Sequence, residues 1–160
     1  MNLNELFRLQ NTLDERITKE HNLSEPLLSK KILALQVELG ELANETKCFK
    51  FWSKKPPCNK NIILEEYVDC LHFILSIGIE KNFIDINLNS YHTDSPLTDQ
   101  FHNLFIDVND FIVCNSKDHY ITLFEDFLTL GFSLNFSNDD IKKGYLRKNS
   151  INHKRQDEGY

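Results

Sequence analysis

Leu28-Ser29-Lys30-Lys31-Ile32-Leu33-Ala34-Leu35-Gln36-Val37-Glu38-Leu39-Gly40-Glu41-Leu42 decides the fold class. Leu28, Ile32, Leu35, Leu39 and Leu42 recur at steps of four and three, which winds one continuous apolar stripe down a helix. With Pro26 acceptable in a first turn after Ser24, this helix is predicted from about Pro26 to about Phe49. Upstream, Leu3, Leu6, Phe7, Leu13 and Ile17 share one face of a first helix that fades near His21-Asn22. Downstream, the basic, proline-bearing stretch from Ser53 to Asn61 forms a loop, and a third helix is expected from about Ile62 to about Lys81. Residues 82 to 96 read as a connection, and Leu97 to Cys114 and Asp118 to Leu130 as two Phe-rich amphipathic helices. Ser137, with Asp140 three residues on, resembles a capping arrangement for a last helix running to about Lys148. By composition alone the polar tail from Asn149 to Tyr160 reads as an irregular terminus. Only 5 Gly and 4 Pro interrupt these patterns, so an all-α helical bundle is expected, with residues 1–160 as one domain.

Bulk properties narrow the function classes. The chain is 41% hydrophobic and 26% charged, as a soluble globular domain is, and no apolar run approaches the roughly 20 residues that span a bilayer. No membrane association is expected. The opening Met1-Asn2-Leu3-Asn4-Glu5 carries an acid where a signal peptide has a basic flank, so a cytoplasmic location is expected, or the host cytoplasm for a viral chain. Cys48, Cys58, Cys70 and Cys114 form no Cys-x-x-Cys pair and read as reduced thiols, three of them buried. The net charge of -6 argues against a nucleic acid partner, which demands a basic surface. An acidic chain still binds phosphates where metal ions and a few local cations bridge the repulsion.

Both are present. Glu38 and Glu41 are three apart on the second helix, so their side chains project about 60° from one another and grip one ion; Glu45 extends that edge. Glu66 and Asp69 repeat the spacing on the third helix, in Ile63-Leu64-Glu65-Glu66-Tyr67-Val68-Asp69-Cys70-Leu71-His72-Phe73. The short loop between the helices makes them antiparallel neighbours, so four carboxylates converge, a hard oxygen set suited to magnesium, or manganese in its place. Acids at such spacing on solvated faces are common. Here Glu38 lies beside Val37 and Leu39, and Asp69 among Val68, Cys70 and Leu71, where a charge is costly unless paired or metal-bound.

The pattern Glu38-x-x-Glu41, then Glu66-x-x-Asp69-x-x-x-Phe73, resembles the all-helical nucleotide pyrophosphohydrolases, whose branches include MazG-like enzymes and dimeric dUTPases. Both ends favour the second branch. Leu9-Gln10-x-x-Leu13-Asp14 resembles its start, and Tyr145-x-x-Lys148-Asn149-x-x-Asn152-x-x-Arg155-Gln156-x-x-Gly159-Tyr160 its tail. No motif is matched in residues 82 to 136.

The resemblance implies magnesium-dependent hydrolysis of dUTP to dUMP and pyrophosphate, with dUDP as a further substrate, in a homodimer that buries faces carrying Phe101, Phe105, Phe111, Phe124 and Phe127. Glu38, Glu41, Glu66 and Asp69 would hold the metal, and Glu41, with Glu38 next, would take a proton from the attacking water. Lys142, Tyr145, Lys148 and Arg155 would let the last helix and tail wrap the phosphates, with about 145–160 as the closing tail and Lys54 a further phosphate contact; otherwise they form a solvated basic end. Trp52 and Phe73 would flank the uracil or the deoxyribose, although a lone Trp is more often core. Gln10 and Asn152 would pair with the uracil edge, and His72 reads as a packing or supporting group. The competing readings are a MazG-like pyrophosphohydrolase of broader base choice and a non-catalytic helical binding protein on the same scaffold.

Overall fold

A computed structural model describes residues 2–89 and 91–159; Tyr160, the last position of the tail pattern, lies outside them. The described residues form six helices and no strand: α1 (Leu3–Glu20), α2 (Leu28–Thr46), α3 (Lys60–Glu80), α4 (Leu97–Val113), α5 (Lys117–Ser133) and α6 (Asn138–Asp157). None is long and apolar enough to cross a membrane. Side-chain caps start four of them, from Asn2, Asn59, Ser116 and Ser137, each oxygen accepting an otherwise unpaired backbone N–H. Ser137 and Asp140 complete a reciprocal capping box, so Ser137→Ala is expected to cost about 1 kcal/mol. A melting temperature within error of wild type would contradict this.

Two helix limits depart from the sequence expectation. α2 is shorter, because Lys47 turns left-handed at φ 56° and closes the helix at Thr46. Its first turn has no side-chain cap of its own; the Leu27 N–H donates to Glu80 Oε1 at 3.1 Å instead. α6 continues nine residues beyond Lys148, through the stretch expected to be irregular. Tertiary ties supply what composition does not: Arg16 of α1 donates to the His153 carbonyl at 3.0 Å and pairs with Asp157 at 2.6 Å, and His21 meets Gln156 at 3.0 Å.

α3 is the central rod, packed against α1, α2, α5 and α6, and its buried residues run round the whole helix as such a position requires. α2 lies antiparallel to it: Lys31 near the start of α2 reaches Glu80 at the end of α3 at 2.7 Å. α4 and α5 form a hairpin whose faces reach α2 and α3. Phe101, Phe111, Phe124 and Phe127 are buried in the core and Phe105 packs against it. The four buried rings are consumed within the chain, which corrects the expectation that they face a second copy. Of the thiols only Cys70 is buried; Cys48 and Cys58 are half-buried and Cys114 is exposed, one buried rather than three.

Two tyrosines lock α3 to α5 in a reciprocal manner. Tyr67 of α3 donates to the Phe127 carbonyl and lies across Gly131, one turn further on; Tyr120 of α5 donates to the Ile74 carbonyl and lies across Gly78, again one turn further on. Both hydroxyls satisfy a buried carbonyl, and both rings occupy the space a side chain would fill.

On the α4–α5 hairpin, burial and the neighbouring Asp126 push Asp107 up to about 7. A carboxyl raised in the folded state favours folding below its ordinary value, and that contribution is lost as pH rises through the folded value. Asp107→Asn is therefore expected to raise the melting temperature more at pH 8 than at pH 5. Equal shifts at both pH values would contradict it.

Candidate metal and nucleotide site

The antiparallel pairing of α2 and α3 brings Glu38, Glu66 and Asp69 together, with carboxylate oxygens all within 4.8 Å of one another. All three are half-buried. Burial, then the charges of Asp69, Glu41 and Glu66, pushes Glu38 up to about 7. Burial also raises Glu66, with Asp69 and Glu41 adding to it, and raises Asp69 against the pull of Lys148. Three crowded, partly desolvated carboxylates repel one another until a cation joins them. Lys148 of α6 supplies part of that charge, with Nζ 2.6 Å from Asp69 Oδ2 and 3.4 Å from Glu65 Oε1. Burial works against its ammonium, yet Asp69 and Glu65 hold its pKa above the ordinary lysine value. A compact set of hard oxygens with a single amine beside it fits a small divalent cation such as magnesium.

Beside the carboxylates lies a cleft of about 280 Å³ between α1, α3 and α6. Gln10, Glu38, Asp69, Phe73, Lys148, Asn152 and Arg155, all candidates from the sequence, line it. A larger hollow of about 540 Å³, lined by Phe7, Arg8, Ile79 and Ile84 among others, contains none of the three carboxylates. Seven of the candidate residues therefore gather on the smaller cleft and none on the larger hollow.

The other candidates stand elsewhere. Glu41 is exposed on α2 outside the tight triad, close enough for its charge to raise Glu38 and Glu66. Trp52 and Lys54 are exposed on the loop between α2 and α3, not in the wall of the cleft; Trp52 is a surface ring set edge-on to Phe51 with centroids 5.0 Å apart, rather than core. Lys142 is tied to Glu5 at 2.7 Å. Tyr145 is fully buried, its hydroxyl donating to Gln10 Oε1 at 3.0 Å, so it supports the cleft from beneath.

Sequence reasoning gave no role to Asp14, Ser76 and Gln156, which also line the cleft, and took His72 for a packing or supporting group. Asp14 accepts from Gln10 Nε2 at 2.7 Å and from the Ser76 hydroxyl at 2.5 Å. Burial raises its pKa in spite of these bonds and of Lys31 3.7 Å away. His72 Nδ1 lies 2.6 Å from Gln10 Oε1, and its ring stacks on Tyr145 with centroids 4.4 Å apart. Burial, with Lys148 nearby, pushes the imidazole down to about 3, so it is neutral at physiological pH. Ser76 is one helical turn beyond His72 and two beyond Asp69, a spacing that offered a signal only in retrospect.

A protein-family model described as dUTPase matches residues 2–160. No curated protein sequence matches the chain.

Proposed function

Since the chain belongs to the dimeric, all-helical dUTPase family, whose activity is the hydrolysis of dUTP, we propose that it is a magnesium-dependent dUTP diphosphatase releasing dUMP and pyrophosphate. The observation that carries the proposal is the triad of Glu38, Glu66 and Asp69 at the mouth of a cleft with Lys148 and Arg155 in its wall.

Glu38, Glu66 and Asp69 hold the metal, joined by Glu41 from the neighbouring turn. When bound, magnesium neutralises triphosphate charge and lowers the barrier to attack by water. Glu41, outside the crowded triad and with oxygens free, takes the proton from that water, with Glu38 as the second candidate. Lys148 passes its charge between Asp69 and the phosphates, and Arg155 adds a forked donor from the last turn of α6. Phe73 supplies a flat apolar wall for base or sugar, and Asn152 an amide for the base edge. Segment 145–160 is the part that closes on the nucleotide, its residues 145–157 forming the end of a helix tied to α1, and Lys54 and Trp52 reach substrate only from their loop. dUDP, which offers the same base and α-phosphate, is the expected second substrate.

The active form is proposed to be a homodimer located in the cytoplasm. The dimer's support is two exposed apolar pairs: Leu33 and Val37, one turn apart on α2 and 61% and 51% exposed, and Phe51 and Trp52, in edge-on contact on the following loop and 94% and 65% exposed. Single apolar residues on a surface are ordinary, but paired ones of this exposure suit a contact surface.

Pyrophosphate release from dUTP, dTTP, dCTP and UTP with magnesium tests the reading. Turnover of dUTP alone is expected, together with a higher melting temperature when magnesium and nucleotide are both present. Comparable turnover of all four would transfer the chain to a MazG-like specificity, and no turnover with no stabilisation would leave a binding protein on this scaffold.

A further inference from the structure

His72 is buried at 6% exposure in the cleft wall, and its Nε2 is a buried ring nitrogen without a hydrogen-bond partner. Buried polar atoms are almost always satisfied, so an orphan in a ligand cleft marks a bond awaiting its partner. The character of that atom follows from α1. Asp14 presents only acceptor oxygens to Gln10, so the Gln10 amide turns its Nε2 toward Asp14 and its Oε1 toward Tyr145 and His72. Oε1 is an acceptor, so the hydrogen bond at 2.6 Å requires a proton on His72 Nδ1. A neutral imidazole with a proton on Nδ1 has a bare lone pair on Nε2.

The same geometry leaves Gln10 no acceptor for the base: its Oε1 is taken by Tyr145 and His72, while its Nε2 gives one of two N–H donors to Asp14 and keeps the other. The acceptor role passes to the imidazole it orients. Around that imidazole, Leu13, Ile17 and Phe73 give the cleft apolar walls suited to a flat ring.

We propose that His72 Nε2 accepts the imide N3–H of uracil and is the residue that distinguishes uracil from cytosine, with Asp14 and Gln10 as positioning residues that fix its tautomer. This rests on the dUTP reading of the cleft. With N1 bonded to the sugar, N3–H is the only donor on the uracil ring; cytosine has a bare acceptor at N3, which would meet the Nε2 lone pair head-on. Thymine shares the N3–H, so its exclusion depends on the room beside C5 and not on His72. A site with a fixed buried acceptor rejects a base without the matching donor more strongly than an apolar pocket does.

The test joins a spectroscopic and a kinetic readout on the full chain. In ¹⁵N-histidine-labelled protein, the His72 resonances are expected to show a protonated Nδ1 and a bare Nε2, and a non-hydrolysable imido analogue of dUTP, added with magnesium, is expected to move the Nε2 signal while the dCTP analogue leaves it. His72→Phe keeps a ring stacked on Tyr145 and is expected to reduce the kcat/KM preference for dUTP over dCTP by roughly 10- to 100-fold. His72→Gln, which offers an amide oxygen, is expected to restore part of it. Asp14→Asn frees the Gln10 amide to flip and is expected to mix the two tautomers in the spectrum, so the relay is measured without relying on turnover. If the wild type hydrolyses dUTP but Nε2 is protonated, or does not respond to the uracil analogue, or if folded His72→Phe keeps full preference, the His72 assignment is overturned and the dUTP reading stands. If neither turnover nor analogue binding is seen, both are overturned together.

Discussion

Glu38→Gln is expected to cut dUTP turnover by roughly 10²–10³-fold, the scale of removing one electrostatic stabiliser of a transition state, and at the same time to make the metal-free protein more stable. The two effects share one cause. Glu38 is half-buried among Asp69, Glu41 and Glu66, and its pKa of about 7 measures how unwelcome its charge is without a cation. Because the folded value is raised, the stability cost is absent below the ordinary carboxylate range, grows as pH rises toward 7 and is complete above it. At pH 8 the amide is expected to contribute about 1–2 kcal/mol after allowance for solvent screening, or roughly 2–8 °C in a chain of this size. At pH 4.5 the gain vanishes. Magnesium with nucleotide is expected to stabilise the wild type and not the variant, so the order of melting temperatures is expected to reverse when both are added. Paired melting curves with and without magnesium check this; a variant less stable than wild type under metal-free conditions at pH 8 would show that the carboxylate belongs to a structural network and not to a cation site.

Gly78→Ala is expected to destabilise the fold by about 3 kcal/mol or more, in the upper range for overpacking a rigid core, which lowers the melting temperature by roughly 6–12 °C. A Cβ there would lie 2.2 Å from the Tyr120 hydroxyl oxygen and 2.6 Å from its Cζ. Tyr120 has no room to retreat: it is fully buried and its hydroxyl is bonded to the Ile74 carbonyl at 3.0 Å. Alanine's better helix propensity returns only about 1 kcal/mol. Tyr120→Phe in the same chain relieves the oxygen clash but not the ring carbon, so rescue is partial. Gly40 is the matched control, since nothing lies within 4 Å of a Cβ there, and Gly40→Ala on exposed α2 is expected to stabilise slightly. Equal melting curves for the two alanine variants would contradict the close approach of α3 and α5.

What could be read from the sequence was whatever lies within one helix. The stripe of Leu28, Ile32, Leu35, Leu39 and Leu42 repeats with the helical period, and Glu66 and Asp69 share a face by spacing alone. Glu38 joined them because a short loop forces its helix back alongside. What escaped depends on partners far along the chain. The last turns of α6 are polar and uninformative until Arg16, more than 130 residues away, binds them. His72 resembled a packing residue because the proton on Nδ1 is dictated by Gln10, 62 positions earlier. The phenylalanines of α4 and α5 showed amphipathic faces but not which surface would cover them, and four of the five named rings were absorbed by the chain's own core.

The crossed tyrosines of α3 and α5 act on the site without touching it. Tyr67 sits between Glu66 and Val68, with Asp69 two residues on, so fixing the azimuth at which its ring meets Gly131 also fixes those at which the two acids leave the helix, about 100° and 200° away. A rotation of α3 by one residue is about 100°, enough to send both carboxylates to the wrong side. Tyr120, engaged in the opposite direction further along the rod, removes the remaining freedom to slide. The α4–α5 hairpin, which contributes no residue to the cleft, therefore serves as the jig against which the clustered acids are set, and a shortened chain without it would retain every cleft residue and lose their alignment.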